Sequence, residues 1–155
     1  MGTQQSTLFS PEVYRRLIKP RHKLLFDVIK TKPDLKMALH SCGSISSLLE
    51  DLIEMGVDAI NPVQINAANM EPERLKEEFG DRLTFWGGID TQKVLPFGSP
   101  GEVRREVRRI IDILGRNGGY VLNSVHNIQS DVPPENVVAM FDEACSYQGA
   151  SSGTH

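Results

Sequence analysis

"KMALHSCGSISSLLEDLIEMGVDAINPVQ", residues 36–64, contains one complete strand–helix–strand pattern and indicates the class of fold. The largely apolar run at 36–39 predicts a short buried strand, which ends in the polar stretch His-Ser-Cys-Gly. Residues 44–55 have the apolar spacing of a helix, and Gly56 is a typical residue at a helix end. A second apolar run at 57–60 predicts the next strand.

The same order of strand, polar stretch and helix occurs four times along the chain. The predicted strands are at 36–39, 57–60, 83–86 and 120–122, and the predicted helices are near 44–55, at 72–79, from Ser99 onward and at 134–146. Ser99, Pro100 and Glu102 form a capping-box pattern. Such alternation predicts an α/β fold with a parallel sheet. A doubly wound sheet and a barrel agree equally well with this pattern.

Residues 10–30 precede the first unit and predict one or two further helices. Ser10-Pro11 is a helix start, and Pro20 should divide the region, because proline lacks the amide hydrogen that a helix needs. Residues 148–155 are small and polar, and we expect a disordered tail there.

Composition limits the classes of function. A chain of 155 residues suffices for one domain, and a net charge of −3 argues against nucleic acid as a partner. No apolar run approaches the roughly 18 residues of a membrane span, and no signal-peptide pattern opens the sequence. Two cysteines do not make a disulfide framework, so we expect a cytoplasmic protein with no membrane partner.

Polar residues follow each predicted strand. Because the carboxyl ends of parallel strands form the ligand sites of α/β folds, we expect these residues to lie on one rim. They are His40, Cys42, Asn61, Gln64, Asp90, Asn123, His126, Asn127 and Gln129. The pair Gly87-Gly88 at the same rim would allow a ligand to approach the backbone closely.

His40 and Cys42 are two residues apart at a strand end, so both side chains can point to one zinc ion. Equally, the two side chains can be ordinary walls of a pocket. A third zinc ligand would have to be His126 or Asp90. Cys145 is expected in the buried face of the last helix with Val137, Phe141 and Ala144.

His126 and Asp90 have two interpretations each. His126 can contact substrate or transfer a proton, since imidazole titrates near neutral pH, or it can be a loop histidine bonded to backbone. Asp90 can bind a cation or orient a donor, or it can cap the next turn.

Several stretches, in this order and spacing, resemble the uroporphyrinogen decarboxylase superfamily. They are "HSCGS", "DAINPVQ", "FWGGIDTQKVLPFGSP" and "GGYVLNSVHNIQSDVPPEN". The resemblance covers about residues 3–147 and is closer to the uncharacterised and corrinoid methyltransferase-like branch. It implies a partial TIM barrel: residues 1–147 as the C-terminal half, with four βα units.

The resemblance also implies roles for particular residues. His126 matches the active-site histidine of the decarboxylases, while Asp90 and Gly87-Gly88 match a loop that lines the same cleft. His40 and Cys42 match the first two zinc ligands of the methyltransferases. The last zinc ligand of those enzymes is a cysteine on the strand that is residues 120–124 here, and this chain has none there.

The decarboxylases' central aspartate and a substrate-binding arginine belong to the N-terminal half of the barrel. The resemblance therefore implies a tetrapyrrole or corrinoid cleft that is incomplete in this chain. A half barrel leaves sheet edges with unpaired backbone groups, so we expect a homodimer, or a rearrangement into an open sheet. Three functions remain: a decarboxylase-like protein, a zinc-dependent methyltransferase-like protein, and a non-catalytic half barrel that self-assembles.

Overall fold

The computed structural model describes residues 1–149, which contain one four-stranded parallel sheet. The strands are β1 (Ala38–His40), β2 (Ala59–Val63), β3 (Thr84–Ile89) and β4 (Tyr120–Ser124). They are adjacent in chain order, β1-β2-β3-β4, and every neighbouring pair is parallel. This arrangement confirms the predicted four βα units of a half barrel. Most of the predicted tail, residues 150–155, lies outside the described residues.

The helices follow the predicted order. They are α1 (Pro11–Val13), α2 (Lys19–Lys30), α3 (Leu49–Glu54), α4 (Pro72–Phe79), α5 (Val94–Phe97), α6 (Pro100–Leu114) and α7 (Pro134–Ser146). A short 3-10 turn at Ser46–Leu48 precedes α3, so the helix predicted at 44–55 is irregular at its start. The short helix α5 was not predicted.

The predicted break at Pro20 is replaced by a widened helical turn just before the proline. A π-helical segment, Tyr14–Ile18, joins α1 to α2, and the Lys19 amide donates to the carbonyl of Tyr14, five residues earlier. Pro20 then lies in the first turn of α2, where its missing amide hydrogen costs little. The helical path therefore continues through the proline region.

The strands extend further toward their carboxyl ends than the apolar runs predicted. Asn61, Gly87, Gly88 and Asn123 were expected in loops, but all four belong to strands. Gly88 lies beside Asn123 in the register of β3 and β4, and His40 lies beside Asn61 in that of β1 and β2. Polar residues can end these strands because neighbouring strands continue to satisfy their backbone groups.

One face of the sheet packs against the helices. Leu39, Ile60, Phe85 and Tyr120 lie side by side across the four strands and belong to the hydrophobic core. Ile60 and Phe85 are completely buried. Burying a side chain of this size contributes about 1.5–3 kcal/mol.

The opposite face, called the inner face below, consists of Ala38, Ala59, Thr84, Trp86 and Val121. Trp86 and Val121 are neighbours in the β3–β4 register, and they are 38% and 43% exposed. Parallel strands as continuously apolar as these are usually covered on both faces. Residues 1–149 cover only the face toward the helices.

Helix α6 begins with the predicted capping box. The Glu102 amide donates to the Ser99 hydroxyl at 3.3 Å, and the Ser99 amide donates to the Glu102 carboxylate at 2.7 Å. Val103, Val107, Ile110 and Leu114 form the fully buried stripe of this helix.

The predicted burial of Cys145 in α7 is wrong. Cys145 is exposed, and Phe141 beside it is 48% exposed. The buried face of α7 consists of Asn136, Ala139, Met140 and Glu143. The buried carboxylate of Glu143 accepts from Arg108 Nε at 2.6 Å and from Arg104 at 3.4 Å. These ion pairs determine which face of α7 is buried.

Candidate functional site at the strand ends

A cleft of about 460 Å³ lies at the carboxyl ends of the strands. Its polar lining consists of His40, Asn61, Asn123, Ser124, His126 and Asn127, and its apolar lining consists of Pro62, Val125 and Ile128. Five of the residues predicted at the rim, His40, Asn61, Asn123, His126 and Asn127, therefore line one cleft. The parallel sheet explains this, because all its strands end at the same edge.

His40 is oriented by its neighbour on β2. Its Nδ1 atom is 2.8 Å from Oδ1 of Asn61, and an amide oxygen only accepts, so Nδ1 carries the hydrogen. In the neutral ring Nε2 is then an acceptor, and it lies 3.7 Å from Sγ of Cys42. Two donor atoms that zinc accepts, one nitrogen and one sulfur, are thus adjacent at the end of β1.

The pair does not extend into a larger set of ligands within residues 1–149. That range contains no group of three or more histidine, cysteine, aspartate or glutamate residues that could hold a metal ion. A catalytic zinc site has three protein ligands and a structural one has four. The described residues therefore do not fit a zinc site by themselves.

Asp90 occupies a capping position. Its carboxylate is buried and accepts from the amides of Gln92 at 2.7 Å and Lys93 at 3.3 Å, directly before α5. This is the capping interpretation of Asp90, and its role toward a substrate stays a prediction.

Gly87 and Gly88 are held by contacts within the fold. Both have positive φ angles, 126° and 96°. A Cβ atom at Gly87 would lie 2.9 Å from the backbone nitrogen of Val63, and one at Gly88 would lie 3.0 Å from Ile110. The close approach is therefore between β3 and its neighbours, and contact with a ligand stays a prediction.

Tyr120 was not predicted as a site-supporting residue. Its hydroxyl donates to the carbonyl of Gly87 at 2.7 Å. Burial raises the pKa of this phenol far above its ordinary value, so the hydroxyl remains a donor at any physiological pH. The bond fixes the end of β3 against β4.

His126 has a fixed backbone and an exposed side chain. The Ser124 hydroxyl donates to the carbonyl of His126 at 2.7 Å, and the amide of Val125 donates to the carbonyl of Ile89 at 2.9 Å. Among residues 1–149, the imidazole makes one long contact, 3.4 Å from Nδ1 to the carbonyl of Asn127. It is thus positioned over the cleft and accessible to a ligand.

Three glutamines connect the loops that follow β1, β2 and β3, and we call this set the glutamine chain. The amide of Gly43 donates to Oε1 of Gln64 at 2.8 Å, and Nε2 of Gln64 donates to Oε1 of Gln4 at 2.9 Å. Nε2 of Gln4 then donates to Oε1 of Gln92 at 3.2 Å. Gln64 was predicted at the rim, but it does not line the cleft.

Gln4 and Gln92 were not predicted as residues of the rim. The bonds that reveal them join residues 60 and 88 positions apart, and no local pattern predicts such contacts. The backbone around Gln4 is also held at the rim, since Ser44 donates to the carbonyl of Thr3 and Ala68 donates to the carbonyl of Gln4. The segment that contains Gln4 thus forms part of the rim.

A parallel βα sheet of four strands, with imidazole and amide groups at a cleft where the strands end, defines an α/β protein of half-barrel type. Residues 3–147 match the family model described as uroporphyrinogen decarboxylase (URO-D). The chain therefore belongs to the uroporphyrinogen decarboxylase family.

Curated relatives agree with this assignment. The chain is 32% identical over 111 residues to the uroporphyrinogen decarboxylase of Paraburkholderia phytofirmans, covering 69% of this chain and 28% of that one. It is 27% identical over 141 residues to that of Chloroherpeton thalassium, covering 88% and 38%. The chain thus spans about a third of the length of these relatives.

A solved structure has the same fold. The methyltransferase from Methanosarcina mazei matches with a TM-score of 0.70 at 21% identity, over 93% of this chain and 40% of that one. At this identity the likeness concerns the fold alone. Within residues 1–149, no helix is both long enough and apolar enough to cross a membrane.

Proposed function

We propose that the cleft at the strand ends binds a tetrapyrrole, as part of a uroporphyrinogen decarboxylase-like protein. The observation that carries this proposal is the meeting of His40, Asn61, Asn123 and His126 in one cleft, in a chain of this family. Since the chain spans about a third of its relatives, we assign ligand binding to these residues and decarboxylation only to a completed barrel.

The chemistry of the lining agrees with a carboxylated macrocycle. Amide and imidazole groups can donate hydrogen bonds to carboxylates, and the part of the lining formed by residues 1–149 contains no acidic side chain that would repel them. Pro62, Val125 and Ile128 provide apolar surface for the flat face of a ring. A corrinoid presents the same combination of ring and polar side groups, and is the related ligand of the second candidate below.

His126 is the residue that we assign to proton transfer. Loss of carbon dioxide leaves an electron pair on carbon, and a proton must then be added there. An imidazole can supply or remove a proton near neutral pH, and that of His126 is exposed at the cleft. Asn61 would hold the His40 ring in its orientation at the cleft.

Titration with uroporphyrin, followed by the Soret absorption, tests the proposal. We expect a saturable shift, and roughly tenfold weaker binding for His126→Gln, about 1.4 kcal/mol. His22→Gln, a histidine outside the cleft, should bind like the native chain at pH 7.5. No Soret shift at tens of micromolar ligand would overturn the proposal.

The pair of His40 and Cys42 favours a second candidate, a methyltransferase-like protein that binds zinc and a corrinoid. The adjacent nitrogen and sulfur atoms, 3.7 Å apart, are the observation behind it. Residues 1–149 supply too few ligands, so another chain would have to supply the rest. Stoichiometric zinc that is lost in Cys42→Ala would favour this candidate, and metal analysis that finds none would reject it.

A role in porphyrin biosynthesis and a cytoplasmic location belong to the same proposal. Both cysteines, Cys42 and Cys145, are free thiols, which agrees with a reducing compartment. Fractionation of cells that express the full-length protein, with detection by immunoblot, tests the location.

A further inference from the structure

We propose that this chain pairs with a second copy of itself along both edges of its sheet, so that two four-stranded sheets close into one eight-stranded barrel. This inference goes beyond the proposed ligand and does not depend on it. It rests on the open edges of the sheet, the exposed inner face, and two apolar helix faces of opposite charge.

The inner face has the composition of an interior. Trp86 and Val121 lie side by side on this face. Together with the other three residues of the face, Ala38, Ala59 and Thr84, they line a cavity of about 770 Å³. Trp86 is 38% exposed and Val121 is 43% exposed, although both sit in the middle of their strands. Since parallel sheets are usually covered on both faces, apolar side chains exposed in this position indicate an interaction site.

The two sheet edges can continue each other. Within residues 1–149, β1 has a strand neighbour only in β2, and β4 only in β3. All four strands are parallel, so β1 of a second copy can follow β4 of the first in the same direction and order. Closure then gives eight strands, a number whose interior is filled by side chains. Closure also removes both open edges.

The helices that precede β1 and follow β4 in the chain expose apolar residues at helical spacing. Before β1, Leu17 and three residues of α2 form one stripe: Leu24, Leu25 and Val28. Leu24 is 71% exposed and Val28 is 68% exposed. After β4, the stripe of α7 consists of Val138, Phe141 and Cys145, and Val138 is 56% exposed. Each stripe has the width that a neighbouring outer helix would cover.

Charge determines which stripe meets which. Residues 15–32, around the α2 stripe, contain seven lysines and arginines and one acid, Asp27. Helix α7 exposes Glu135 and Asp142 and contains no lysine or arginine, while Glu143 is buried and paired with Arg104 and Arg108. Two α2 stripes would repel each other, whereas α2 of one copy and α7 of the other attract. A two-fold axis along the barrel produces this contact twice, at the two places where the sheets join.

The oligomeric mass tests the proposal. Sedimentation of the native chain should give about twice the monomer mass of 17.3 kDa. The chain has a single tryptophan, and Trp86 lies on the inner face, so its fluorescence reports closure directly. We expect weak acrylamide quenching in the dimer and several-fold stronger quenching after dilution into the monomer range. A folded native chain that sediments at 17.3 kDa would overturn the proposal, as would pairing only with a separate barrel half.

Variants test the predicted contact between α2 and α7. Leu24→Glu faces the acidic helix and Phe141→Lys faces the basic one, so each should halve the mass. Phe97→Glu is the matched control, because Phe97 is 80% exposed on α5, outside both stripes, and this variant should remain dimeric.

Mixing the two monomeric variants should restore a dimer. The Leu24→Glu chain contributes an intact α7 and the Phe141→Lys chain an intact α2, while the two substituted helices carry opposite charges. A mixture that stays monomeric, or a Phe97→Glu chain that also dissociates, would contradict the arrangement.

Discussion

At Gly88 the helix layer approaches the sheet so closely that no side chain has room. A Cβ atom there would lie 3.0 Å from Cγ2 of Ile110 and 3.2 Å from the Tyr120 hydroxyl, which itself holds Gly87. Gly118 also has a positive φ, 82°, but no heavy atom of the described residues lies within 4 Å of its Cβ position. Both glycines would therefore show the cost of backbone strain when substituted, but only Gly88 would also show the cost of steric overlap.

We predict that Gly88→Ala destabilises the fold by about 2 kcal/mol more than Gly118→Ala does. Both substitutions strain a left-handed backbone, but only the first displaces core atoms. Urea unfolding of the two variants measures the difference. Equal losses of stability would mean that Ile110 and Tyr120 yield without cost.

His22 provides a dependence of stability on pH. Burial lowers the pKa of its imidazole below the ordinary 6.5, and the ring contacts the Tyr14 hydroxyl at 3.1 Å and stacks on Phe26. The folded chain then binds fewer protons than the unfolded chain below pH 6.5. Stability is therefore retained above pH 6.5 and decreases as the pH falls from there toward the lower pKa of the folded state.

We expect His22→Gln to lose less stability than the native chain between pH 7.5 and pH 5.5. Urea midpoints at both pH values, for both chains, check this, because other titrating groups cancel in the comparison. Parallel losses in the two chains would assign the pH dependence to other residues.

At the scale of elements, α7 is joined to α5 by one buried side chain. Nδ2 of Asn136 donates to the carbonyls of Leu95 at 2.8 Å and Gly98 at 2.7 Å. Its Oδ1 atom is buried without a hydrogen-bond partner among the described residues. The two donated bonds must therefore outweigh the cost of burying that oxygen.

Asn136→Ala should destabilise the fold by about 1–3 kcal/mol, because two buried carbonyls lose their donor. Ser146→Ala, which removes an exposed bond from the same helix to the carbonyl of Asp142, should change stability by less than about 0.5 kcal/mol. Thermal unfolding of the two variants compares them. A small effect of Asn136→Ala would indicate that water replaces the amide.

The same element explains which parts of the fold could be predicted. The capping box of Ser99 and Glu102 depends on neighbours three residues apart, and it was predicted correctly. The buried face of α7 was predicted only in part: Val137 and Ala144 pack against the core, but Phe141 and Cys145 are exposed. Glu143 is held inward instead by arginines 35 and 39 residues earlier. The spacing of residues along one helix predicts hydrogen bonds within that helix, but it does not predict ion pairs between helices.

At the scale of the whole molecule, the meeting of His40, Asn61, Asn123 and His126 followed from topology alone. Parallel strands share a carboxyl edge, so the order of elements was enough to bring these residues together. The dual roles of Asp90 and the glycines could not be resolved from the sequence. Their contacts, with Gln92, Lys93, Ile110 and Tyr120, depend on how closely the layers pack.

The glutamine chain has a direction, and that direction makes its members unequal. A backbone amide can only donate, so Gly43 forces Gln64 to accept with its oxygen and donate with its nitrogen, and Gln4 must do the same. Gln92 stands last and only accepts. A carboxylate cannot donate, so Gln92→Glu should preserve the chain, whereas Gln4→Glu and Gln64→Glu should interrupt it. Hydrogen exchange at the backbone amides of Gly43 and Ala68 measures this difference. It should be faster in Gln4→Glu and Gln64→Glu than in Gln92→Glu.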